Sequence, residues 1–455
     1  MTSLAYGTSA YSRERGNLPD LPLVNLFVEA SPTTAKGVML QSRPPLVAAG
    51  TVGSGPIRGI FQADGVLGGA QFVVSGSSLY KDGALHGEIT GTGPVSFAAS
   101  QTELLINAGA AIHHTDGTTF STVSFPDAAN VIRVLFLAGY FVAIRKDTHQ
   151  FYWSDVLDGL TWDGLSFASA ENNHDNLLDA LVLSDSLVLI GSKSVEFWPA
   201  TGDPDAPFAP TQGRVFERGI IATGCAVIHD NSFAWIGDNG IVYISGNVPE
   251  RLSDSGIEER IAQSATWSLF GFPMEGHDLI AVRLDSGTWL RDAQTQQWCE
   301  FASYGRDNWR ARCSARDGSL FGDDETGALW TFGAGYIDAG GPFERRFRAG
   351  QPISGGSFSI DNVRLAVNVG ETSALTGYTA EPTVEMRTTR DAGRTWGPWR
   401  ATSLGAQGHY RTRCEWRRCG MFDDPGFLAE FRTADTVPFR VSDVGVNEAG
   451  GGRAR

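Results

Sequence analysis

Short apolar runs, each followed by a polar or glycine turn and a second apolar run, recur along most of this chain. They lie at residues 71–83 (QFVVSGSSLYKDG), 102–117, 137–155, 178–198, 224–246, 275–292 and 311–332. Each unit ends on an aromatic or large apolar pair, near Tyr80, Ile112, Tyr152, Phe197, Val242, Trp289 and Leu329. Successive pairs are 32, 40, 45, 45, 47 and 40 residues apart. A period of roughly 40–47 residues with four short strands per unit is the pattern of propeller blades. One four-stranded sheet cannot bury both faces alone, and radial stacking buries each sheet against the next while protecting most edges. Turn dipeptides at Asp82-Gly83, Asp116-Gly117, Asn239-Gly240 and Asp317-Gly318 separate strand-like runs. The expected fold is therefore all-β: a β-propeller of six or seven blades. The short first interval suggests that the first unit completes its sheet with an N-terminal or a late strand.

Beyond Val363 the period is lost. Residues 363–370, 382–391, 409–422, 427–433 and 439–446 alternate without a 45-residue spacing, which predicts a C-terminal antiparallel β-sandwich. Charge changes at the same place. Of the net −15, residues 344–455 carry 16 Arg against 13 acids, or +3, leaving −18 for residues 1–343. The expected domains are an N-terminal entry segment (1–45), the propeller (46–343) and a sandwich-like domain (344–455). One short helix is expected, with Ser255, Gly256, Ile257 and Glu258 as a capping box. It is read as an ornament between two units.

Composition narrows the function. The 55 Gly fit many tight turns. No apolar run approaches the ~20 residues of a membrane-spanning helix, and the first residues lack the apolar stretch of a secretory signal. Five cysteines, odd in number and without a CxxC, are expected as free, buried thiols. Cys414 and Cys419 are an odd offset apart and would face opposite sides of one strand. The acidic body argues against binding nucleic acid through phosphate neutralisation.

Chemical motifs are sparse. There is no P-loop, no HExxH and no GxSxG. His113 and His114 are adjacent, so on a strand they point to opposite faces and do not share one ion. Asp323, Asp324 and Glu325 read as a solvated turn. Thr389, Asp391, Gly393, Thr395 and Trp396 resemble an Asp-box, the hairpin motif of sialidases and related propellers. There Asp and Gly close a turn and Trp packs it, a structural rather than catalytic device. Asp158, Gly159, Thr161 and Trp162 are a weaker echo. A sialidase would also need an arginine cluster and a Tyr–Glu pair, which the motifs do not supply. A glycan-binding module or glycoside hydrolase is kept as the alternative function. No catalytic residue, metal or cofactor is expected.

Four stretches together resemble one family, the packaged-DNA stabilisation proteins of short-tailed bacteriophages, also called tail hub or nozzle proteins. They are LPLVNLFVEASP with GVMLQSRPPL near the start, FYWSD with TWDGLSFASAE and SVEFW in the middle, GNVPERLSDSGIEERI, and the closing VPFRVSDVGVNE. The resemblance implies a structural virion protein, assembled in the host bacterial cytoplasm. It implies a homo-oligomeric ring, typically of six copies, beneath the portal adaptor protein. That ring would extend the channel for double-stranded DNA without reading sequence, retain packaged DNA, and present surfaces to a tail needle or plug and to tailspikes or fibres. The polar loop from Asp155 to Asn176 is the expected contact surface, since loops of this length signal function more often than slack. Its candidate residues are Asp155, Asp158, Trp162, Asp163, Glu171, Asn172, Asn173, His174 and Asp175.

Overall fold

The computed structural model describes residues 2–6, 22–34, 36–173, 175–315, 318–352, 356–371, 381–391, 393–423 and 426–449. Seven four-stranded antiparallel units follow one another around a ring. Blade 1 is built from Ile57–Phe61, Phe72–Ser75, Ser78–Lys81 and Ala84–Glu88. Blade 3 is built from Val131–Leu137, Tyr140–Arg145, Gln150–Trp153 and Phe167–Ser169. Blade 6 runs from Trp267–Met274 to Trp298–Phe301. The seven residues that mark the period all fall on the third strand of successive blades. The repeat in the sequence is thus the spacing of one strand position.

Inner strands such as Val131–Leu137 and Tyr140–Arg145 are largely apolar runs because both of their faces are covered by neighbouring blades. In blade 3, Val142, Ile144, Phe151 and Trp153 pack toward blade 4, where they meet Leu187, Leu189 and Trp198. The alternate residues Phe141, Ala143 and Tyr152 pack toward blade 2, against Leu105 and Ile112. The period-2 alternation therefore sorts side chains between two neighbours rather than between core and water. Hairpin geometry follows local chemistry. At Asp82-Gly83 both residues take positive φ (49° and 80°), the mirror-image turn whose twist matches the flanking strands.

The ring closes by an exchange. Blade 7 takes three strands from Ala311–Ser314, Phe321–Asp323 and Ala328–Phe332, and its outermost strand is Leu46–Thr51 from the start of the chain. The first strand of blade 7 lies against the first strand of blade 1. The N-terminal strand completes the last blade, and blade 1 is complete in itself, unlike the expectation drawn from the short first interval.

Strands from the described residues before Leu46 are built into a two-sheet sandwich. One sheet has the order Leu26–Ala30, Val38–Ser42, Arg440–Ala449, Phe358–Val367, Cys414–Phe422. The other holds Arg345–Pro352, Gly426–Thr433, Thr383–Thr389 and Arg400–Ser403. A two-residue strand, Leu23–Val24, joins this second sheet to blade 6. Val24 pairs with Glu300 on one side and with Arg346 on the other. Propeller and sandwich thus share a hydrogen-bonded sheet and one apolar cluster, in which Phe301 and Trp309 join Phe347 and Phe431.

A buried polar knot locks this junction. Arg43, fully buried, donates from Nε to Asn25 Oδ1 (2.8 Å), from Nη1 to Asp338 Oδ1 (2.8 Å) and from Nη2 to the Ala302 carbonyl (2.6 Å). Its guanidinium lies 4.5 Å from the centre of the Phe343 ring. Asp338 also accepts the backbone N–H of Leu46 (2.8 Å) and of Tyr304 (3.1 Å). Burial opposes its charge, but Arg43 and these donors outweigh burial and hold its pKa below the usual carboxylate value. Asn25 takes positive φ (55°) and binds the Glu344 carbonyl through Nδ2 (2.8 Å).

A second tie is ionic. His277 of blade 6 is buried between Asp292 (Nδ1 to Oδ2, 2.9 Å) and Glu29 of the sandwich (Nε2 to Oε2, 2.9 Å). Desolvation disfavours the imidazolium, but the two carboxylates outweigh it, and the pKa is raised above 6.5. A raised value in the folded state stabilises fully below the unfolded pKa, and the gain is lost as pH rises through the folded value. The stability advantage of the native chain over His277→Gln is therefore expected to be largest near pH 6 and to shrink toward pH 9. Urea unfolding of both chains across that range checks this, and a gap that does not change with pH would rule out the charged pair.

Two local expectations are corrected. The helix, Ser255–Gln263, is capped by Asp254, whose side chain accepts the Ile257 N–H (3.0 Å); Glu258 instead binds Arg251 and Ser253. Its Ile257 and Ile261 are fully buried in an interblade core, so it is part of the packing. Cys414 and Cys419 are both buried on one strand, because one extra residue between Arg417 and Gly420 flips the parity. All five cysteines are free thiols.

Candidate interaction surface

The expected contact loop is divided by the outermost strand of blade 3, Phe167–Ser169. Residues 154–166 lie at one end of that strand and residues 170–173 and 175–176 at the other, so the described candidates fall into two groups.

In the first part the polar side chains are engaged internally. Asp158 accepts the N–H of Leu160 (2.8 Å) and of Thr161 (3.2 Å) through Oδ1, and the Thr161 hydroxyl (2.8 Å) through Oδ2. These bonds favour the carboxylate and lower its pKa. Trp162 donates to the Gly159 carbonyl (2.9 Å) and packs edge-on against Phe125 (5.3 Å). Asp163 accepts the Leu165 N–H (2.9 Å). The Gly159 N–H binds Glu103 of blade 2 (2.8 Å). Asp155 is exposed and makes no ion pair among the described residues.

In the second part, Asp175 closes a turn by accepting the N–H of Lys193 (2.6 Å) and the Ser194 hydroxyl (2.9 Å). The Asn172 N–H binds buried Glu196 (3.1 Å). Glu171 is exposed and Asn173 half-buried. His174 lies outside the described residues.

Residues 156–167 also offer a set of apolar side chains to solvent. Val156, Leu157, Leu160, Leu165 and Phe167 are all exposed, Leu165 by 83%. They make up five of the eleven exposed large hydrophobic residues found among the described residues. A cluster of this kind marks a contact site more than scattered apolar residues do. Reading the loop by its acids missed them. The available signal was a set of apolar residues within a Gly/Asp-rich loop, at spacings that fit neither helix nor strand.

The Asp-box residues lie on the sandwich. Asp391 accepts the hydroxyl of Thr395 (2.6 Å), the Thr395 N–H (2.8 Å) and the Thr389 hydroxyl (2.7 Å), and its pKa falls to about 2. Gly393 supplies the positive φ of the turn (96°). Trp396 covers Arg348 and Arg387 (4.8 and 4.7 Å), which flank the fully buried Glu430. Asp158 and Thr161 reproduce the same turn chemistry within the propeller.

Asp323 and Asp324 are not a solvated turn. Asp323 is fully buried, accepting the N–H of Glu325 and Thr326 and the Trp330 indole (2.9 Å). Asp324 pairs with Arg283 and Arg306. His113 Nε2 accepts the Thr90 N–H (3.0 Å), and burial lowers its pKa. Among the described residues no group of three or more His, Cys, Asp or Glu is placed to hold a metal, and no helix is long and apolar enough to cross a membrane.

The fold is a seven-bladed propeller spliced to a β-sandwich, with an apolar loop exposed on blade 3. The chain belongs to the bacteriophage P22 Gp10 family: residues 2–332 match its β-propeller model and residues 353–448 its β-sandwich model. The tail hub protein gp10 of Salmonella phage P22 is 22% identical over 258 residues, covering 50% of this chain and 55% of that protein. The chain thus spans about half the length of that curated relative. Among solved structures, the β-propeller domain of Myceliophteria thermophila Cps50 (Swd1) overlaps with a TM-score of 0.41 at 10% identity, covering 63% of this chain and 99% of that one. PorZ of Porphyromonas gingivalis gives 0.39 at 11% identity, covering 79% and 46%. These two overlaps carry no argument about function.

Proposed function

We propose that this chain is a structural component of a phage tail. It forms a hub ring below the portal and adaptor that continues the DNA channel, retains packaged DNA, and carries the tail needle, spikes or fibres. The observation that supports this reading is the match of both the propeller and the sandwich, in order and in one chain, to a single phage protein family. The role is mechanical rather than catalytic. An interleaved propeller and sandwich make a stiff platform, and function resides in the loops it carries. The acidic propeller body repels phosphate, so DNA slides past without adhering.

The deciding measurement is the protein content of purified virions, together with the mass of the isolated chain in solution. Multiple copies in the particle and assembly into rings are the expected result. A chain that is absent from particles overturns the reading. Tight binding of free double-stranded DNA at physiological salt would overturn the repulsive-channel part alone.

A further inference from the structure

The exposed apolar loop has a counterpart on the same chain. Residues 408–418, leading into the edge strand Cys414–Phe422 of the sandwich, expose Arg411, Arg413 and Arg418, none of which makes an ion pair among the described residues. An open hollow of about 470 Å³, lined by Gly408, His409, Tyr410, Arg411 and Thr412, lies beside them. Tyr410 (69% exposed) and Met421 (62%) are this region's exposed large apolar side chains. The blade-3 loop presents the complement: unpaired Asp155, the free carboxylate oxygen of Asp163, and a projecting Leu165. The two surfaces are complementary in charge, acid against arginine, and in shape, an apolar knob against a hollow edged by an aromatic ring.

These two surfaces cannot meet within one molecule. The sandwich is spliced to blade 6 through Leu23–Val24, and the strand that leaves it completes blade 7. Blade 3 is three blades from each, on the opposite side of the propeller. A surface and its complement on opposite sides of one molecule produce head-to-tail association, which yields a ring when successive rotations close.

We propose that the loop at residues 155–167 of one copy docks on the arginine-rich sandwich edge, residues 408–418, of a second copy. The inference rests on the ring reading above and assigns its contact surfaces. Leu165 enters the hollow beside Tyr410, and Asp155 and Asp163 face Arg411 and Arg413. The contact weakens with salt, since its charged pairs lie at a solvent-accessible rim.

The test uses the full chain and two charge-reversed forms. One carries Asp155→Lys with Leu165→Lys; the other carries Arg411→Glu with Arg413→Glu. All four side chains are exposed and make no side-chain hydrogen bond or ion pair among the described residues, so thermal unfolding should match the native chain. Mass by sedimentation across a concentration series is the readout. Each reversed chain alone should need at least about tenfold higher concentration to assemble, and an equimolar mixture of the two, in which the reversed charges match but one knob is lost, should assemble at a lower concentration than either chain alone. Native-like assembly by both reversed chains alone overturns the inference and leaves the hub reading standing, as does a mixture that fails to recover. A native chain that stays monomeric at every concentration also overturns the inference. Only absence from purified particles overturns the hub reading.

Discussion

Replacing Arg43 by methionine is expected to cost about 3–5 kcal/mol, the range for removing one partner of a buried ion pair. Domains of ordinary size are stable by only about 5–15 kcal/mol, so the variant should stand near the limit of folding. The cost arises less from the lost attraction than from what remains. Asp338, fully buried, would keep its charge with only the N–H groups of Leu46 and Tyr304 as donors. The Ala302 carbonyl would lose its 2.6 Å donor. Asn25 Oδ1 would keep the Ala302 N–H (2.9 Å) but lose the guanidinium. Adding Asp338→Asn to Arg43→Met should recover part of the loss: the side chain then has no charge to desolvate and its oxygen still accepts the Leu46 N–H, while the Tyr304 N–H gives up its acceptor. Urea unfolding of the native, single and double variants measures this. A single variant within about 1 kcal/mol of the native chain would show that the knot is not what joins the two halves.

The same knot shows what the sequence made legible. Asn25 and Arg43 lie inside the two opening stretches that carry the family resemblance, yet nothing in their local pattern announces burial. A lone arginine before two prolines reads as a surface residue until Asp338, 295 residues later, is brought beside it. The blades were legible because their determinant is local: an aromatic or large apolar pair marks each third strand, and strands such as Gln150–Trp153 and Val195–Pro199 are almost wholly buried. Ring closure was not, because Leu46–Thr51 pairs with Ala328–Phe332 across nearly the whole propeller, and a single strand carries no mark of its partner. The acids misled at one place: Asp323 looked solvated and is buried. Asp158, Asp163 and Asp175, chosen as contact candidates, also close turns. The short-range rule that Asp ends turns applies to all four. Whether a turn then faces water or a neighbouring blade is set by packing that the chain pattern does not encode. Leu165, by contrast, is informative because it is exposed against the rule.

A chain beginning at residue 53 is expected not to fold, a larger effect than any single substitution here. Residues 1–52 supply the outer strand of blade 7, the splice between blade 6 and the sandwich, and two strands of the sandwich's first sheet. They also carry Leu23, Leu26, Phe27, Val28, Leu40 and Leu46, each no more than 4% exposed. At roughly 1.5–3 kcal/mol for each buried side chain, their loss removes about 9–18 kcal/mol of burial, which is as large as the usual total stability of about 5–15 kcal/mol. The deletion also bares two ladder edges, Ala328–Phe332 and Arg440–Ala449, and unpaired edges of that length template aggregation. Removing only residues 1–6 is a matched control. It loses the pairs Thr2↔Val446, Ser3↔Gly445, Ala5↔Gly350 and Tyr6↔Ala349, together with buried Leu4, but leaves the closure and the splice intact. That chain should remain soluble and unfold cooperatively at a lower midpoint, while the longer deletion should yield aggregates without a cooperative transition. Size-exclusion chromatography and circular dichroism during urea titration distinguish the two. A soluble chain from residue 53 that unfolds at the native midpoint would mean that the propeller closes without its N-terminal strand, and that the exchange between the two ends of the chain is not what holds the ring shut.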